Sequence, residues 1–423
     1  MTGDGTPLED LSAQIRASAP PGRFARLGVA VSGGGDSVAL LHLLAAWADR
    51  PTLHVVTVDH RLRPEAADEA AGVARLCARL GVPHDTLHWQ GWDGRGNLPD
   101  AARRARYGLM SDWARARALD AVALGHTADD QAETFVMRLA RGAGIDGLSA
   151  MAPERHAWGM LWLRPLLAAR RADLRAYLVS IGATWAEDPS NEDPSYDRVR
   201  ARAVLSALGP LGISAEGIAA VTTHLREVRE VVAHATLRAA QEVLRIEAGD
   251  VVFDRARLAA QPAELRRRLM AQALRWVARA DYGPRAAGMA ELTRAALAGS
   301  AGTLHGCLVL PEGPAFRVCR EAAAVANCRV ATPGALWDGR WRLTGPDEKG
   351  LEIRALGEDG LRLCKDWRDQ PRPRAALAAD PAVWRGHELV AAPLAGMALG
   401  WSAELGFGSG AGADDFFSAL LSH

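Results

Sequence analysis

The sequence predicts an α/β fold, in which a Rossmann-like parallel sheet is followed by a mainly helical region and a small β-rich region. From residue 1 to about 205, short β-branched runs alternate with helical stretches rich in alanine and leucine, a pattern typical of a parallel sheet covered on both faces. Residues 206–330 are rich in arginine and alanine with helical periodicity, and residues 331–423 break into short strand-like pieces between prolines and glycines. At 423 residues, the chain is long enough for three such domains.

Five apolar runs in the first region are predicted strands of the parallel sheet. They lie at residues 28–31, 53–59, 83–89, 120–125 and 160–166. We therefore expect an α/β domain at 1–205, a mainly helical domain at 206–330 and a small β-rich domain at 331–423.

Composition limits the classes of protein to consider. The 50 basic and 50 acidic residues balance, so any contact with nucleic acid must be a local patch. All but two of the basic residues are arginine, the exceptions being Lys349 and Lys365. The five cysteines form no CxxC pair, which argues against a zinc ribbon, an iron–sulfur cluster or a disulfide framework. No signal sequence or membrane span is evident, and we expect a soluble cytoplasmic protein.

The segment SGGGDS, Ser32–Ser37, lies between the first predicted strand and a leucine-rich helix. Glycines at the carboxyl end of a strand let the backbone approach a ligand, and the helix that follows offers free N–H groups and a positive dipole. Such a junction predicts an anion site, most simply for phosphate. No lysine is near, as a Walker A loop requires, and Val38 stands where a dinucleotide fingerprint starting at Gly33 needs its last glycine.

The remaining pattern, S-G-G-x-D-S, resembles the pyrophosphate loop (PP-loop) of the N-type ATP pyrophosphatases. In that family the loop holds the β,γ-pyrophosphate of ATP while the α-phosphate is attacked. The resemblance implies that the ATP-binding residues are Ser32, Gly33, Gly34, Gly35, Asp36 and Ser37, together with Asp59 and His60 after the second strand.

A polar cluster follows the fourth predicted strand at the same sheet edge. His126, Asp130 and Glu133 are spaced four and three residues apart, which places them on one face of a helix. This combination suits a Mg²⁺–ATP site or a pocket for an amine. Thr127 and Asp130 also fit a capping box, so part of the cluster has a structural alternative.

Several arginine pairs could contact phosphate or simply be solvated. Arg103 and Arg106 lie one turn apart on a predicted helix, and Arg138 and Arg141 follow the acidic cluster. A further run, Arg266–Arg268, offers a possible phosphate-binding face. The segment EDPSN at 187–191 reads equally well as a plain turn and as a loop that closes the site.

Longer motifs narrow the resemblance to one family. In order along the chain they are VDHRLRPEA (58–66), GNLPDAARRARY (96–107), LGHTADDQAETFVMRLARGAGIDGLSAM (124–151), RPLL (164–167) and WAEDPSNEDPSYDRVRAR (185–202). Together they resemble the tRNA(Ile)-lysidine synthetases over about 175 residues. Arg61 departs from the family, which usually has glycine there, so the backbone at this position cannot depend on a conformation open only to glycine.

The resemblance implies a ligase that uses ATP and Mg²⁺ to attach free L-lysine to C2 of the wobble cytidine, position 34, of tRNA(Ile) with a CAU anticodon. An adenylated cytidine would be the intermediate, with AMP and pyrophosphate released. The implied catalytic residues are Asp36, Arg103, Arg106, His126, Asp130 and Glu133, with Asp36 and Asp130 as candidate metal ligands and His126 as a candidate base.

By the same resemblance, the substrate tRNA shares its anticodon with methionine tRNA, so the protein would have to read its tRNA elsewhere as well. Residues 302–321 resemble a strand pair of that family's first C-terminal domain. We assign tRNA binding to Arg138, Arg141, Arg198, Arg200, Arg266, Arg267 and Arg268. We infer no membrane association and no obligate protein partner.

Three other functions remain open on the sequence. A tRNA thiolase would keep the loop, although the better-known kinds use paired cysteines and Cys77 is the only cysteine of the catalytic half. A small-molecule ligase would normally add a glutaminase domain or an ammonia route. A non-catalytic RNA- or nucleotide-binding protein would release no pyrophosphate.

Overall fold

The computed structural model describes residues 7–61, 66–90, 98–187, 196–280, 283–331, 334–346, 348–406 and 413–421. Contacts divide the chain into two compact units, residues 1–229 and residues 230–423. The division of the chain into three domains stays a prediction.

The helices are α1 (Pro7–Ser18), α2 (Gly35–Ala46), α3 (Ala66–Leu80), α4 (Leu98–Ala116), α5 (Ala128–Leu139), α6 (Ile145–Leu148), α7 (Arg171–Ser180), α8 (Asp197–Leu208), α9 (Ala215–Val243), α10 (Arg255–Ala260), α11 (Ala263–Ala278), α12 (Ala286–Leu297), α13 (Ala322–Val325), α14 (Gly357–Leu363), α15 (Arg374–Ala378) and α16 (Ala413–Ser418). The strands are β1 (Arg26–Ala30), β2 (Thr52–Asp59), β3 (His84–His88), β4 (Ala121–Leu124), β5 (Glu154–Ala157), β6 (Met160–Leu163), β7 (Leu244–Glu247), β8 (Asp250–Asp254), β9 (Gly302–Leu304), β10 (Cys307–Glu312), β11 (Ala315–Arg320), β12 (Arg329–Val330), β13 (Leu336–Trp337), β14 (Trp341–Thr344), β15 (Glu352–Ala355), β16 (Pro381–Arg385), β17 (Glu388–Ala391) and β18 (Ser402–Leu405).

The first unit is built on a six-stranded sheet in the order β3-β2-β1-β4-β6-β5. All neighbours pair in parallel except β5 and β6, which form an antiparallel hairpin. After β1 the chain moves to one side through β2 and β3, and it then returns to place β4 on the other side. This reversal between β1 and β4 is the topological switch point at which open α/β sheets bind ligands.

Both faces of this sheet are buried, as the apolar strands predicted. Val29 of β1 packs in one apolar cluster with residues of α2 and α3, whereas its neighbour Ala30 packs in another with residues of α4. Successive strand residues point to opposite faces, so a strand covered by helices on both sides has to be apolar throughout.

The five predicted strands of the first region are confirmed as β1, β2, β3, β4 and β6, with ends that differ by at most three residues. Strand β5 was not predicted, because its residues Glu154–Ala157 are mostly polar or exposed. Strand β5 lies at the edge of the sheet and pairs only with β6, antiparallel to it. An edge strand is less covered than a central one, so it does not need to be apolar throughout.

In the second unit, helices α11 and α12 pack against an antiparallel sheet in the order β7-β8-β11-β10-β9. The predicted strand pair of 302–321 is present as β9, β10 and β11. The hairpin of β7 and β8 was not predicted; its turn places Ala248 and Gly249 at φ values of +45° and +79°. The later residues form a four-stranded and a three-stranded sheet with short helices between.

Within the described part of the chain, no single helix is both long enough and apolar enough to cross a membrane. Residues 197–211 and 215–243 pass that test only as a pair, and the pair is bent by 100°.

Candidate active site

The predicted phosphate loop follows β1 and begins α2. Gly33 has a φ of +95°, in the left-handed region that favours glycine. The Ser37 hydroxyl donates a hydrogen bond to the Gly34 carbonyl oxygen (2.9 Å) and accepts one from the Ser32 backbone N–H (3.2 Å). Because the first N–H groups of α2 have no partner within the helix, the loop presents donors and a helix dipole at the sheet edge.

Gly125, at the end of β4, fixes how closely the next segment approaches this loop. A Cβ atom at Gly125 would lie 3.0 Å from the Ser37 Cα atom and 3.1 Å from the Asp36 carbonyl oxygen. Both of these are backbone atoms of the loop, so they cannot move aside cheaply. The absence of a side chain at residue 125 therefore lets the β4–α5 junction pack directly on the phosphate loop.

Helix α5 starts with the predicted capping box. The Thr127 hydroxyl accepts from the Asp130 backbone N–H (3.3 Å), and Asp130 Oδ2 accepts from the Thr127 backbone N–H (2.9 Å). This use of Oδ2 confirms the structural alternative for Asp130. Oδ1 of the same carboxylate contacts Arg171 and Arg198 instead.

Arg171, the first residue of α7, joins the loop to the acidic cluster. Its Nε lies 3.0 Å from Asp36 Oδ2, and its two Nη atoms lie 3.3 Å from Asp130 Oδ1 and 3.4 Å from Glu133 Oε1. One guanidinium thus contacts all three carboxylates that the sequence pointed to. Sequence reasoning missed Arg171, since the stretch AARRADL carries no signal that separates it from Arg170 on the surface.

Helix α8 supplies two more cations to this cluster. Arg202 Nε lies 2.6 Å from Glu133 Oε1, and Arg198 Nη1 lies 3.8 Å from Asp130 Oδ1. Glu133 is 1% exposed, and its other oxygen, Oε2, is buried without a hydrogen-bond partner among the described residues. A buried carboxylate oxygen without a donor is costly, so Oε2 marks a place where a cationic or hydrogen-bonding ligand would be stabilised.

Electrostatics at the site follow from burial and these cations. Burial raises the pKa of Asp36, and the adjacent Arg171 guanidinium only partly offsets that effect. Burial also opposes ionisation of Asp130, yet Arg171, Arg198 and the hydrogen bond from the Thr127 backbone N–H hold its pKa below the ordinary value. Both carboxylates therefore depend on nearby cations for their charge.

His126 lies at the end of β4, beside the acidic cluster. Burial, reinforced by Arg164, Arg106 and Arg198, lowers the pKa of His126 to about 3 although Asp130 opposes the shift. The Nδ1 atom of the ring is buried without a partner among the described residues. An imidazole with so low a pKa is a weak proton acceptor, and its role as the base stays a prediction.

The Asp59 and His60 pair ends β2, at the same sheet edge. Asp59 is buried, and its carboxylate accepts from the Arg61 backbone N–H (2.8 Å) and lies 3.4 Å from His88 Nδ1. Burial and the neighbouring Arg106 lower the pKa of His60. Arg61 has a φ of +53°, so this position does adopt the left-handed conformation that glycine favours, and an arginine accommodates it.

Arg103 and Arg106 lie on α4 as predicted, one turn apart. Burial and repulsion from Arg103 and Arg198 lower the pKa of Arg106, against the opposing influence of Tyr107. Neither Arg103 nor Arg106 forms an ion pair within the described residues. A partly buried guanidinium without a carboxylate partner is suited to an anionic ligand.

The arginines assigned to tRNA divide by their contacts. Arg138 donates to the carbonyl oxygens of Gly147 and Ala150, so it braces the turn after α5. Arg141 and Arg200 both pair with the exposed Asp197. Arg198, in contrast, joins the acidic cluster.

On α11 the predicted phosphate-binding face is partly neutralised. Arg267 and Arg268 both contact Glu264, at 2.6 and 2.8 Å, and Arg266 donates to two backbone carbonyl oxygens. Their role in tRNA binding stays a prediction. Of the segment EDPSN, only Glu187 belongs to the described residues.

The donor atoms at the site fit the needs of Mg²⁺. Asp36 and Asp130 offer carboxylate oxygens, the donors that Mg²⁺ prefers. Among the described residues, no group of three or more His, Cys, Asp or Glu side chains is arranged to hold a metal ion. This fits Mg²⁺ at nucleotide sites, which is bound by one or two carboxylates while phosphates and water complete its coordination.

Comparisons with known proteins agree with this geometry. A family model described as a PP-loop domain matches residues 7–208. The tRNA(Ile)-lysidine synthase of Ruegeria pomeroyi is 52% identical over 419 residues, which cover 98% of each chain. Those of a Bradyrhizobium species and of the Wolbachia of Brugia malayi are 40% and 32% identical, over 68% and 78% of this chain and 83% and 80% of their own.

Among solved structures, the U34-tRNA thiolase NcsA from Methanococcus maripaludis aligns with 52% of this chain and 80% of its own, at 16% identity and a TM-score of 0.45. The identity of 52% to the Ruegeria enzyme over nearly the full length of both chains, together with the PP-loop match, settles the family. The chain belongs to the tRNA(Ile)-lysidine synthases, which are ATP-dependent tRNA-modifying ligases.

Proposed function

We propose that this enzyme attaches lysine to C2 of cytidine 34 in tRNA(Ile) with a CAU anticodon. In the first step the C2 carbonyl oxygen attacks the α-phosphate of ATP and pyrophosphate leaves. In the second, the ε-amine of free lysine attacks the activated C2, and AMP leaves with the bonding electrons of the C2–O bond. The observation that carries the proposal is the placement of a phosphate loop and an acidic cluster at one switch point, joined by Arg171.

The loop after β1 would bind the polyphosphate of ATP. Backbone N–H groups at the start of α2 would stabilise the charge that grows on the leaving pyrophosphate. Ser32 and Ser37 hold the loop in shape through their mutual contacts, so these donors are arranged before ATP binds. Such preorganisation lowers the cost of reaching the transition state.

Glu133 would bind the cationic amine of lysine. Glu133 is buried, and its Oε2 is available to a donor. The ε-amine, with an ordinary pKa of about 10.4, has to lose a proton before it attacks. Contact with this carboxylate would hold the amine near C2, and a carboxylate or a phosphate oxygen would accept the proton.

Arg103 and Arg106 would stabilise negative charge on the adenylated nucleotide. Arg106 is half-buried beside His60 and His126, at the sheet edge that carries the loop. Its lack of a carboxylate partner within the described residues leaves its donors for phosphate or for a carbonyl oxygen.

Asp36, with Asp130, would hold Mg²⁺. When bound, this ion would neutralise charge on the polyphosphate. The Arg171 guanidinium contacts both carboxylates in this structure, so it orients them and supplies the positive charge that Asp36 needs in order to ionise.

The first step can be tested separately from the second. With [α-³²P]ATP and CAU-anticodon tRNA(Ile) but no lysine, labelled AMP should become attached to the tRNA, and subsequent addition of lysine should release it. Release of pyrophosphate without AMP attached to tRNA would contradict the proposed order of steps. The same measurement with elongator methionine tRNA would show how strongly the enzyme discriminates between the two tRNAs in this first step.

The structure weighs against a thiolase. Cys77 is fully buried in the apolar core, and burial raises the pKa of its thiol to about 11. A thiol so placed is almost wholly protonated at neutral pH and shielded from substrate.

A further inference from the structure

The turn between β5 and β6 exposes a large aromatic side chain. Trp158 is 43% exposed, although burial of an indole is strongly favourable. Its φ of +53° lies in the left-handed region, which a bulky residue adopts only at a cost. The fold therefore holds a tryptophan at the tip of a hairpin where a small polar residue or glycine would be less strained.

The indole ring is supported from within the protein. The rings of Trp158 and Tyr107 are stacked, with centroids 4.7 Å apart and planes inclined by 12°. Tyr107 is buried, and Trp162 meets its ring edge-on at 4.8 Å. Two packed aromatic residues thus fix the orientation of Trp158 while much of its surface stays open to solvent.

Two arginines flank this aromatic pair. The Arg155 guanidinium lies 5.7 Å from the centroid of the Trp158 ring, and that of Arg103 lies 5.2 Å from the Tyr107 ring. Both arginines are exposed, and neither pairs with a carboxylate anywhere in the described ranges. Exposed aromatic rings beside unpaired arginines are the usual composition of surfaces that bind single-stranded nucleic acid.

We propose that Trp158, backed by Tyr107 and flanked by Arg103 and Arg155, is a stacking platform for an unpaired nucleobase of the tRNA. This inference rests on the proposed function, because it takes the anticodon loop as the ligand. Stacking would be indifferent to base identity, since every base has a π-face, and the arginines would bind the adjoining phosphates.

The position of the platform indicates which part of the tRNA it meets. Arg103 is one helical turn from Arg106, which lies beside His126 and His60 at the switch point. Cytidine 34 has to leave the loop stack to reach that point. A neighbouring loop base stacked on Trp158 would compensate for the lost stacking and hold the loop open.

The test measures binding of the full-length enzyme to a stem–loop oligonucleotide with a CAU anticodon by fluorescence anisotropy. We expect Trp158→Ala to weaken binding roughly 5- to 150-fold, the range that loss of one base–aromatic stack produces. Trp158→Phe should lose less. Val179→Ala, which trims an exposed apolar residue of α7, is the control and should bind as the wild type does, and the affinity for ATP should be the same in all four proteins.

A double-mutant cycle then identifies the stacked base. Each loop nucleotide other than cytidine 34 is replaced in turn by one lacking its base. We expect one of these RNAs to bind the wild type weakly and to show no further loss with Trp158→Ala. Additive losses for every RNA, or unchanged binding by Trp158→Ala, would overturn the platform; if that variant does not fold, Trp158→Phe serves in the same cycle.

The two proposals fail separately. If the wild type forms no lysidine but the cycle shows coupling, the platform stands and the proposed reaction falls. If lysidine forms and no coupling is found, the proposed reaction stands and the platform falls.

Discussion

At the scale of single residues, the site depends on cations that neutralise buried carboxylates. Asp36 was predicted from the resemblance of its loop to the PP-loop, and Asp130 and Glu133 from their helical spacing. The structure brings all three to Arg171. Arg171 could not be predicted, because it is separated from each of them by more than thirty residues and nothing in its local sequence distinguishes it. Ion pairs between residues that only the tertiary fold brings together leave no pattern in the local sequence.

Asp36→Asn should reduce the rate of pyrophosphate release roughly 100-fold, the effect typical of losing one preorganised electrostatic contact at a reacting phosphate. The amide keeps the shape of the side chain but loses the charge that holds Arg171 and would bind Mg²⁺. Asp173→Asn, which changes a carboxylate paired with Arg170 on the surface, is the control. Equal rates for the two variants would show that the Asp36 charge is dispensable.

His126 should make stability depend on pH. Its pKa in the folded protein, about 3, is below the ordinary value of 6.5, so between these values the unfolded chain binds a proton that the folded protein does not. The stability it contributes is complete above pH 6.5 and is lost as the pH falls toward 3. Between pH 7 and pH 5 this loss is about 2 kcal/mol.

Urea unfolding at both pH values, for the wild type and His126→Gln, measures this contribution. The variant should lose less stability on acidification, whereas His156→Gln, at an exposed position of β5, should behave as the wild type does. Identical pH dependence in His126→Gln would refute a neutral buried His126.

At the scale of elements, the junction of β4 with α5 positions the acidic cluster against the phosphate loop. Strands β1 and β4, the loop and the capping box all follow local rules of sequence, and each was predicted. The close contact between the β1–α2 junction and the β4–α5 junction was not predicted. It depends on the distance between Gly125 and the backbone of Ser37, which only the assembled sheet defines.

Gly125→Ala tests that contact. A methyl group 3.0 Å from the Ser37 Cα atom forces the loop aside, and overpacking of this kind costs about 1–3 kcal/mol. We expect the Kd for ATP to rise by roughly tenfold or more. Isothermal titration calorimetry provides the measurement.

Gly108→Ala is the matched control, since a Cβ atom there, within α4, meets no atom within 4 Å. It should leave ATP binding unchanged and raise helix stability by about 0.5–1 kcal/mol. If Gly125→Ala bound ATP as well as this control does, close packing of the two junctions would not matter for the loop.

At the scale of the whole molecule, charge balance conceals strong local differences. The equal totals of acidic and basic residues suggested only that any nucleic-acid surface would be local. In the second unit, some arginines are buried and form ion pairs within the protein. Arg317 is 1% exposed and contacts Glu247, Asp250 and Glu312.

A second buried cation completes this network. Arg372 bonds Asp250 at 2.9 Å and also contacts Asp380, and all three side chains are buried. The network thereby ties the β7–β8 hairpin to residues near β16. An arginine count alone overestimates the surface left for tRNA, and sequence reasoning could not separate buried arginines from exposed ones.

Arg372→Met should destabilise the protein by about 3–5 kcal/mol, because it leaves the buried Asp380 without its paired cation and removes one of the two arginines that contact Asp250. Thermal unfolding of the full chain measures the loss. Arg374→Met, which removes an exposed partner of Glu358, should change stability little. Matching melting temperatures for the two variants would show that the buried pairing contributes no more than a surface pair.

The central claim is the identity of the acceptor and of the amine, and incorporation of labelled lysine tests it most directly. The enzyme, Mg²⁺ and ATP are incubated with [¹⁴C]lysine and either CAU-anticodon tRNA(Ile) or elongator methionine tRNA, while pyrophosphate is followed in parallel. The account predicts label in the isoleucine tRNA alone, with one pyrophosphate released for each lysine incorporated. Pyrophosphate release without label in the tRNA, or equal labelling of both tRNAs, would contradict it.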